Sequence, residues 1–450
     1  MAANLWIDWD GDGAFDADED AFPDVIGPIR CGRGRGKSGR PYEPSTAGIL
    51  EFTLLDEAKY ASSSPLRAGI QTGDIRIKVR LDLEGVAVWS GVLSALNPDR
   101  GANRAQRLRC KAAGVITILE QTELTGYTLT GSATTRARML AMMPSEVSAT
   151  IPASMTQTLP EWYPDAGIKS VLDGLRALEE ASLSYLYEDA SGGILVQPIE
   201  VREQTKTPAY DVGTAKAFDF AVLEDLRPVA NTMSVPVMEY GADPAETVVD
   251  IAMNLSVSGT VDLPVQAPLP GVTSWVAVTL TETGGVTGVV QSSDIRTATI
   301  RLSGTGTVTR LQVTGTPIIA DGDVKIFVQD SNSVSAYGER RYPNPPWAFS
   351  QVEDLVAYAA KKFQLLAEPL PRIKVGLYPD STLLTAIVPG ALGRVIDDVL
   401  GGFIIFTERV EIETDGYNHR LTVYGSLGDV FISSAVLNGL TALDGTFKLA

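Results

Sequence analysis

The chain has 450 residues, 55 of them acidic and 37 basic, giving a formal net charge of −18 and an isoelectric point near 4.6. That negative excess repels phosphate backbones and excludes a nucleic-acid reader, while a hydrophobic share of 44% with 20% charged residues excludes a disordered chain. The length exceeds what one hydrophobic core serves, so roughly two to four domains are expected.

Cys31 and Cys110 are too few for a disulfide framework and too far apart in sequence for a metal knuckle. The opening MAANLWIDWDGDG lacks a basic segment followed by an apolar one, and no run approaches the roughly 18 apolar residues of a membrane-crossing helix. The expectation is a protein made in the cytosol, not exported by a signal peptide, with no stable membrane association.

The first element is a short apolar strand, Leu5 to Ile7, and it runs straight into the sharpest chemical motif of the chain. DWDGDGAFDADE, Asp8 to Glu19, has the spacing of an EF-hand calcium loop, with Gly13 at the tight turn. The predicted ligands are Asp8, Asp10, Asp12, the carbonyl of Ala14, Asp16 and Glu19. A hard divalent cation takes about six to eight oxygens, and Ca2+ would neutralise five clustered carboxylates whose repulsion otherwise opposes closure of the turn. The preceding strand takes the place of an EF-hand helix, so a structural staple is expected rather than a sensor; the alternative is a metal-free acidic turn.

Strands then dominate to about residue 125. Ile49 to Leu55 and Val86 to Leu93 read as strands, and Ile75, Ile77, Val79 and Leu81 alternate with charged residues at the period of a half-buried strand. Thr125 to Pro160, rich in Thr, Ser and Ala, is expected to be a linker, with Met139, Met142 and Met143 forming a small packing patch. Asp165 is placed to cap a helix whose apolar face is Ile168, Val171, Leu172, Leu175 and Leu178. Leu183 to Glu188, Gly192-Gly193 and Ile194 to Val201 then form a hairpin, completing an α+β module. From Val248 to Ile319 the chain turns to Thr, Val, Gly and Ser without a lysine, which suggests an inserted β-sandwich. Ser350 and Glu353 form a capping box for a helix over 350–367 with apolar stripe Val352, Leu355, Val356, Ala359, Phe363 and Leu366. Strands return at Phe403 to Phe406, Val410 and Ile412, and Leu421 and Val423.

Catalytic chemistry finds little purchase in this inventory. His419 is the single histidine, predicted to be an exposed turn residue in DGYNHR, and two-histidine zinc sites are excluded. CGRGRGKS, Cys31 to Ser38, ends like a phosphate loop but has Cys31 where the first glycine is required, so it reads as a basic flexible loop whose Arg33, Arg35, Lys37 and Arg40 meet carboxylates of a neighbouring subunit. Glu179-Glu180 and Asp397-Asp398 read as solvated faces rather than a glycosidase pair. The chain is expected not to be an enzyme.

Taken in order, WIDWDGDGAF, AGILEFTLLD (Ala47 to Asp56), KYASSSPL (Lys59 to Leu66), GDIRIKVRL, WSGVLSALNP (Trp89 to Pro98), SVSAYGERRY (Ser333 to Tyr342), Trp347 and the capped helix ending at AEPLP resemble the tail-tip or baseplate hub proteins of tailed bacteriophages, the minor tail proteins. The resemblance implies a mainly β, multidomain chain with two tail-tube-like β-barrel domains, a small α+β module and the inserted β-sandwich. The boundaries are 1–125 for the first barrel, 126–205 for the linker and α+β module, 206–240 for the start of the second barrel, 241–320 for the insertion, and 321–450 for the rest of the second barrel.

It also implies a homotrimeric ring whose six barrels match the hexameric tail tube, closing its lower end. Implied partners are tail tube and distal tail proteins, the tape measure protein and tip or fibre proteins, at the distal end of the virion tail, after assembly in the host cytoplasm. DNA would pass an acidic wall without specific binding. Two alternatives remain at this point: a hub carrying peptidoglycan-degrading activity, and a calcium-stabilised β-sandwich that binds a host receptor or carbohydrate.

Overall fold

The computed structural model describes residues 3–9, 11, 14–36, 43–55, 77–100, 106–124, 133–159, 170–213, 216–223, 229–268, 271–342, 352–366, 372–397 and 401–427. Its first part is built from β1 (Ala3–Ile7), β2 (Ile29–Arg35), β3 (Ser45–Leu55), β4 (Lys78–Leu83), β5 (Val86–Arg100) and β6 (Gln106–Ala113). The period-two pattern governs β3, where Leu50, Phe52 and Leu54 are buried and Glu51 faces water. It also governs β4, where Val79 and Leu81 are fully buried. The β4–β5 hairpin turns through Glu84 and Gly85, both at positive φ (55° and 77°), the combination that matches the natural strand twist.

Helix α1 (Val115–Gln121) leaves this sheet, and α2 (Thr135–Met142) and α3 (Val171–Ala181) follow. The expected linker is therefore a packed segment, since Met139 and Met142 sit in a core with Leu172, Leu175 and Leu178. Asp165 lies outside the described residues; the α3 cap is Ser170, whose hydroxyl accepts from the Asp173 amide at 3.2 Å in a capping box. The hairpin of β7 (Ser184–Glu188) and β8 (Ile194–Pro198) turns at Asp189, which accepts from the Ser191 and Gly193 amides, each at 2.8 Å. Helix α4 (Ile199–Gln204) closes the module.

After β9 (Tyr210–Val212) and β10 (Ala217–Leu223), the chain enters the insertion: β11 (Thr232–Ala242), β12 (Glu246–Gln266), β13 (Val272–Thr283), β14 (Thr287–Ser293) and β15 (Thr297–Gln329). β15 is the spine, with β12 along one edge, β14 and β13 along the other, and β11 beside its final stretch. Gly259 and Gly304 lie opposite each other at φ 95° and 136°, where a side chain would be strained. The Val272 amide donates to Ile295 O at 2.7 Å and the Ile318 amide to Gly271 O at 2.9 Å, which sets Ile295, just ahead of β15, beside Ile318 inside it. The sheet thus folds back on itself and encloses Ile300, Leu302, Val308, Leu311 and Val313.

Helix α5 (Ser331–Tyr337) leads out of the insertion. Helix α6 (Val352–Leu366) buries Ala359, Phe363 and Leu366 as its stripe predicts, and Tyr358 as well, while Ser350 lies outside the described residues. Then come β16 (Arg372–Leu377), α7 (Ser381–Ala386), β17 (Leu392–Asp397), β18 (Gly401–Thr414) and β19 (His419–Leu427).

Two half-sheets join into one 12-stranded sheet in the order β1-β4-β5-β6-β3-β2-β18-β19-β16-β10, with β17 and β9 branching from β18. The joint is the antiparallel pair β2–β18, from Ile29 opposite Thr414 to Gly34 opposite Arg409. One apolar cluster runs across it, from Leu5, Leu50 and Leu81 to Val375, Ile405 and Leu421. The α+β module lies over the joint on its own core, which includes Phe406 of β18.

Candidate functional site

The acidic loop is closed by backbone bonds. Asp8, 1% exposed, accepts from the Gly11 amide at 2.8 Å. Glu19, also buried, accepts from the Trp9 amide at 2.6 Å and the Asp16 amide at 3.0 Å. Asp20 then accepts from the Leu5 amide at 3.1 Å and the Ala21 amide donates to Leu5 O at 2.7 Å, so this segment shields the outer edge of β1. Asp8 and Glu19 turn inward while Ala14 and Asp16 face solvent; Asp10, Asp12 and Gly13 lie outside the described residues. Each Glu19 oxygen holds one amide and retains another lone pair, so the carboxylate is compatible with a cation as well as with its backbone bonds. Among the described residues, no three His, Cys, Asp or Glu side chains are grouped to hold a metal.

Three expectations about charged residues are corrected. His419 is buried, 2% exposed, at the start of β19, with Nδ1 at 2.7 Å from Thr414 Oγ1. Burial holds the imidazole below its ordinary pKa against the pull of Glu84. Arg33 and Arg35 are not in a flexible loop: they are buried in β2. Lys37 and Arg40 lie outside the described residues. Glu179, read as a solvated face, is buried and pairs with Arg35 Nη1 at 2.6 Å, its Oε1 also accepting from the Leu186 amide at 2.9 Å.

Arg33, Arg35 and Glu179 belong to a polar seam between the module and the sheet. On the second half-sheet, Arg202 Nη1 donates to Glu408 Oε1 at 2.6 Å, both side chains fully buried. Tyr187 OH donates to Glu408 Oε2 at 2.8 Å and Ser426 Oγ to Oε1 at 2.7 Å. The Arg202 guanidinium also stacks on Tyr185, 3.6 Å from the ring centroid, and on Phe406 at 4.8 Å. Burial disfavours the Glu408 charge, but Arg202, Arg35 and the Ser426 hydroxyl outweigh it and hold the carboxyl below its usual range. On the first half-sheet, Glu188 accepts from the Gly48 amide at 2.5 Å and the Ile116 amide at 2.6 Å. Burial nevertheless pushes its carboxyl up to about 7. Sequence reading missed the seam because its partners are far apart along the chain; the weak signal present was Tyr185, Tyr187 and Glu188 together in one strand of the hairpin.

The opposite face of the joined sheet carries a row of charges running across five strands: Lys111, Glu51, Arg30, Glu413 and Arg420 stand opposite one another in that order and alternate in sign. Arg30 and Glu413 approach to 3.2 Å, Lys111 and Glu51 to 3.7 Å. Two open grooves of about 530 and 600 Å3 flank the row; the first balances four cations against four carboxylates, and the second holds four cations against one. The acidity of the whole chain is therefore not the character of this face.

No protein-family model matches the chain, and no curated protein does. Solved structures do. The 43 kDa tail protein of prophage MuSo2 from Shewanella oneidensis is similar with a TM-score of 0.54 at 11% identity, covering 96% of this chain and 100% of that one. The tail protein from Neisseria meningitidis MC58 is similar with a TM-score of 0.55 at 9% identity, covering 95% and 97%. The chain has the mainly β, multidomain fold of these tail proteins.

Proposed function

We propose that this protein is a structural hub of a phage tail tip or baseplate: a trimeric ring that adapts the hexameric tail tube to the tip, closes the tube and forms part of the DNA ejection channel. The observation that carries the reading is similarity over nearly the whole length of two tail proteins, with the same extent on both sides of the match. The joining of two half-sheets within one chain supports it, since a subunit with two sheet units turns three copies into six positions. Its partners are the tail tube, distal tail, tape measure and tip or fibre proteins, at the distal end of the virion tail. DNA passes without specific binding, in keeping with a net charge of −18. The task needs no catalytic side chain. The Asp8 to Glu19 loop takes Ca2+ as a staple beside β1, using Asp8, Asp10, Asp12, Ala14 O, Asp16 and Glu19.

Mass photometry and averaged electron micrographs of the purified chain, across a concentration series with and without calcium, test this. A threefold ring is the expected result, reached at lower protein concentration with calcium. A monomer under every condition sinks the hub reading, and an association curve indifferent to calcium sinks the staple.

A further inference from the structure

The hairpin β7–β8 holds the two half-sheets by different means. Toward the second, Tyr187 and Arg202 converge on Glu408, a cation and an anion each supplied with several partners. Toward the first, Ser45 of β3 donates to Leu186 O and Arg35 of β2 stacks on Tyr185, while at the far end of β7 Glu188 occupies a seat made of two backbone amides, Gly48 in β3 and Ile116 in α1. Both Gly48 and Gly114 are needed there, because a Cβ at either would run into the Glu188 carboxylate. Arg33, 4% exposed, is the nearby cation, yet its Nε and Nη1 make no hydrogen bond among the described residues. Closing this side therefore leaves buried donors unsatisfied, and opening it returns a carboxylate and a guanidinium to water.

We propose that the Glu188 end of β7–β8 is a detachable latch: the module stays anchored to the sheet through Arg202–Glu408 and Arg35–Glu179, and this end of the hairpin lets go of the middle of β3 and the start of α1 when the Glu188 carboxylate leaves the seat formed by the Gly48 and Ile116 amides beside Arg33.

The groups facing Glu188 set how protons act on the latch. They are Arg33 from β2, Asp189 next to it in the chain, and the amide dipoles of β3 and α1; Trp89 of β5 brings an uncharged indole N–H near Gly48. Arg33 and the amides favour the anion, Asp189 opposes it, and burial opposes it most, so the seated carboxyl holds its proton up to about 7 against an ordinary 4.5. A released Glu188 meets water and titrates normally. The seated form thus binds protons more tightly, so the latch is firmest at low pH and loosens as pH rises from 4.5 through about 7. The open fraction rises at most ~300-fold over that window.

Hydrogen exchange of the full-length chain between pH 5 and 8.5, corrected for intrinsic exchange and read at peptides spanning 45–50 and 114–118 against 407–414, tests the proposal. The expected result is protection at 45–50 and 114–118 that falls with rising pH while 407–414 holds, and a flat profile in Glu188→Gln, which mimics the protonated acid. Equal pH-dependence at all three peptides, or no pH-dependence at the first two in the unaltered protein, overturns it. If the variant fails to fold, the profile of the unaltered chain alone decides between these outcomes, and the ring test above is unaffected by either.

Discussion

The polar seam and the insertion use the same residue types in opposite ways. At the seam, Arg202 and Glu408 are fully buried with Tyr187 and Ser426 completing their bonds. In the insertion, Arg301–Asp262 and Arg310–Asp250 lie on the surface as two-pronged pairs across β12 and β15, above a core whose buried side chains are all aliphatic, with Met253 and Trp275 packed at its margin. A buried pair removes the water that would compete with it, so its geometry is enforced and its breakage is expensive. An exposed pair exchanges protein partners for water at little cost. The seam therefore specifies how three units fit together, whereas the insertion gains cohesion from apolar burial and its charges tune only the surface.

The largest effect is expected where that contrast is broken most directly. Glu408→Ala leaves Arg202 buried without its anion and should lose about 3–5 kcal/mol in chemical denaturation. Replacing both partners, Arg202→Met with Glu408→Leu, should recover most of that loss; failure to recover would mean the hydroxyls of Tyr187 and Ser426, left behind, dominate instead. Leu311→Ala in the insertion empties a fully buried site and should lose about 2–4 kcal/mol. Its signature should be local, with hydrogen exchange rising across 246–318 and unchanged in β2 and β18. Ser170→Ala removes the cap of the helix that carries Glu179, for about 1 kcal/mol, read as a small shift in melting temperature. Asp262→Asn should be the smallest: any change in melting temperature at low salt should disappear at high salt. A large, salt-insensitive loss there would erase the distinction drawn between the two regions.

How much of this was legible in the sequence follows the same division. Alternation in β3 and β4 and the 3–4 spacing in α3 and α6 are local, so strands, helices and their buried faces could be read directly; Val79, Leu81, Leu175 and Phe363 sit where their spacing puts them. The Gly- and Thr-rich text of the insertion announced strands around an apolar core, but short ones, whereas β12 and β15 run 21 and 33 residues. The seam was illegible because a charged residue in isolation belongs in water: Glu179 reads as surface until Arg35 is brought to it from 144 residues away. Arg33 and Arg35 likewise read as a flexible basic loop, since the pairing of β2 on both edges, with β3 and β18, is long-range. His419 was misplaced for the same reason, its turn being local and its burial tertiary. For the acidic loop, spacing pointed to a cation and gave no hint that Glu19 ties down the Trp9 and Asp16 amides.

The β2–β18 joint also sets a schedule for the ribosome. Arg30 and Glu413, paired across it, are 383 residues apart. At synthesis rates of about 5–20 residues per second, β2 emerges about 20–80 s before the strand that completes it. During that interval its free edge and its arginines, later interior, stand open to whatever passes. The first half-sheet must therefore persist as an unfinished unit, and slow, non-local closure is the step at which this chain is most exposed to mispairing.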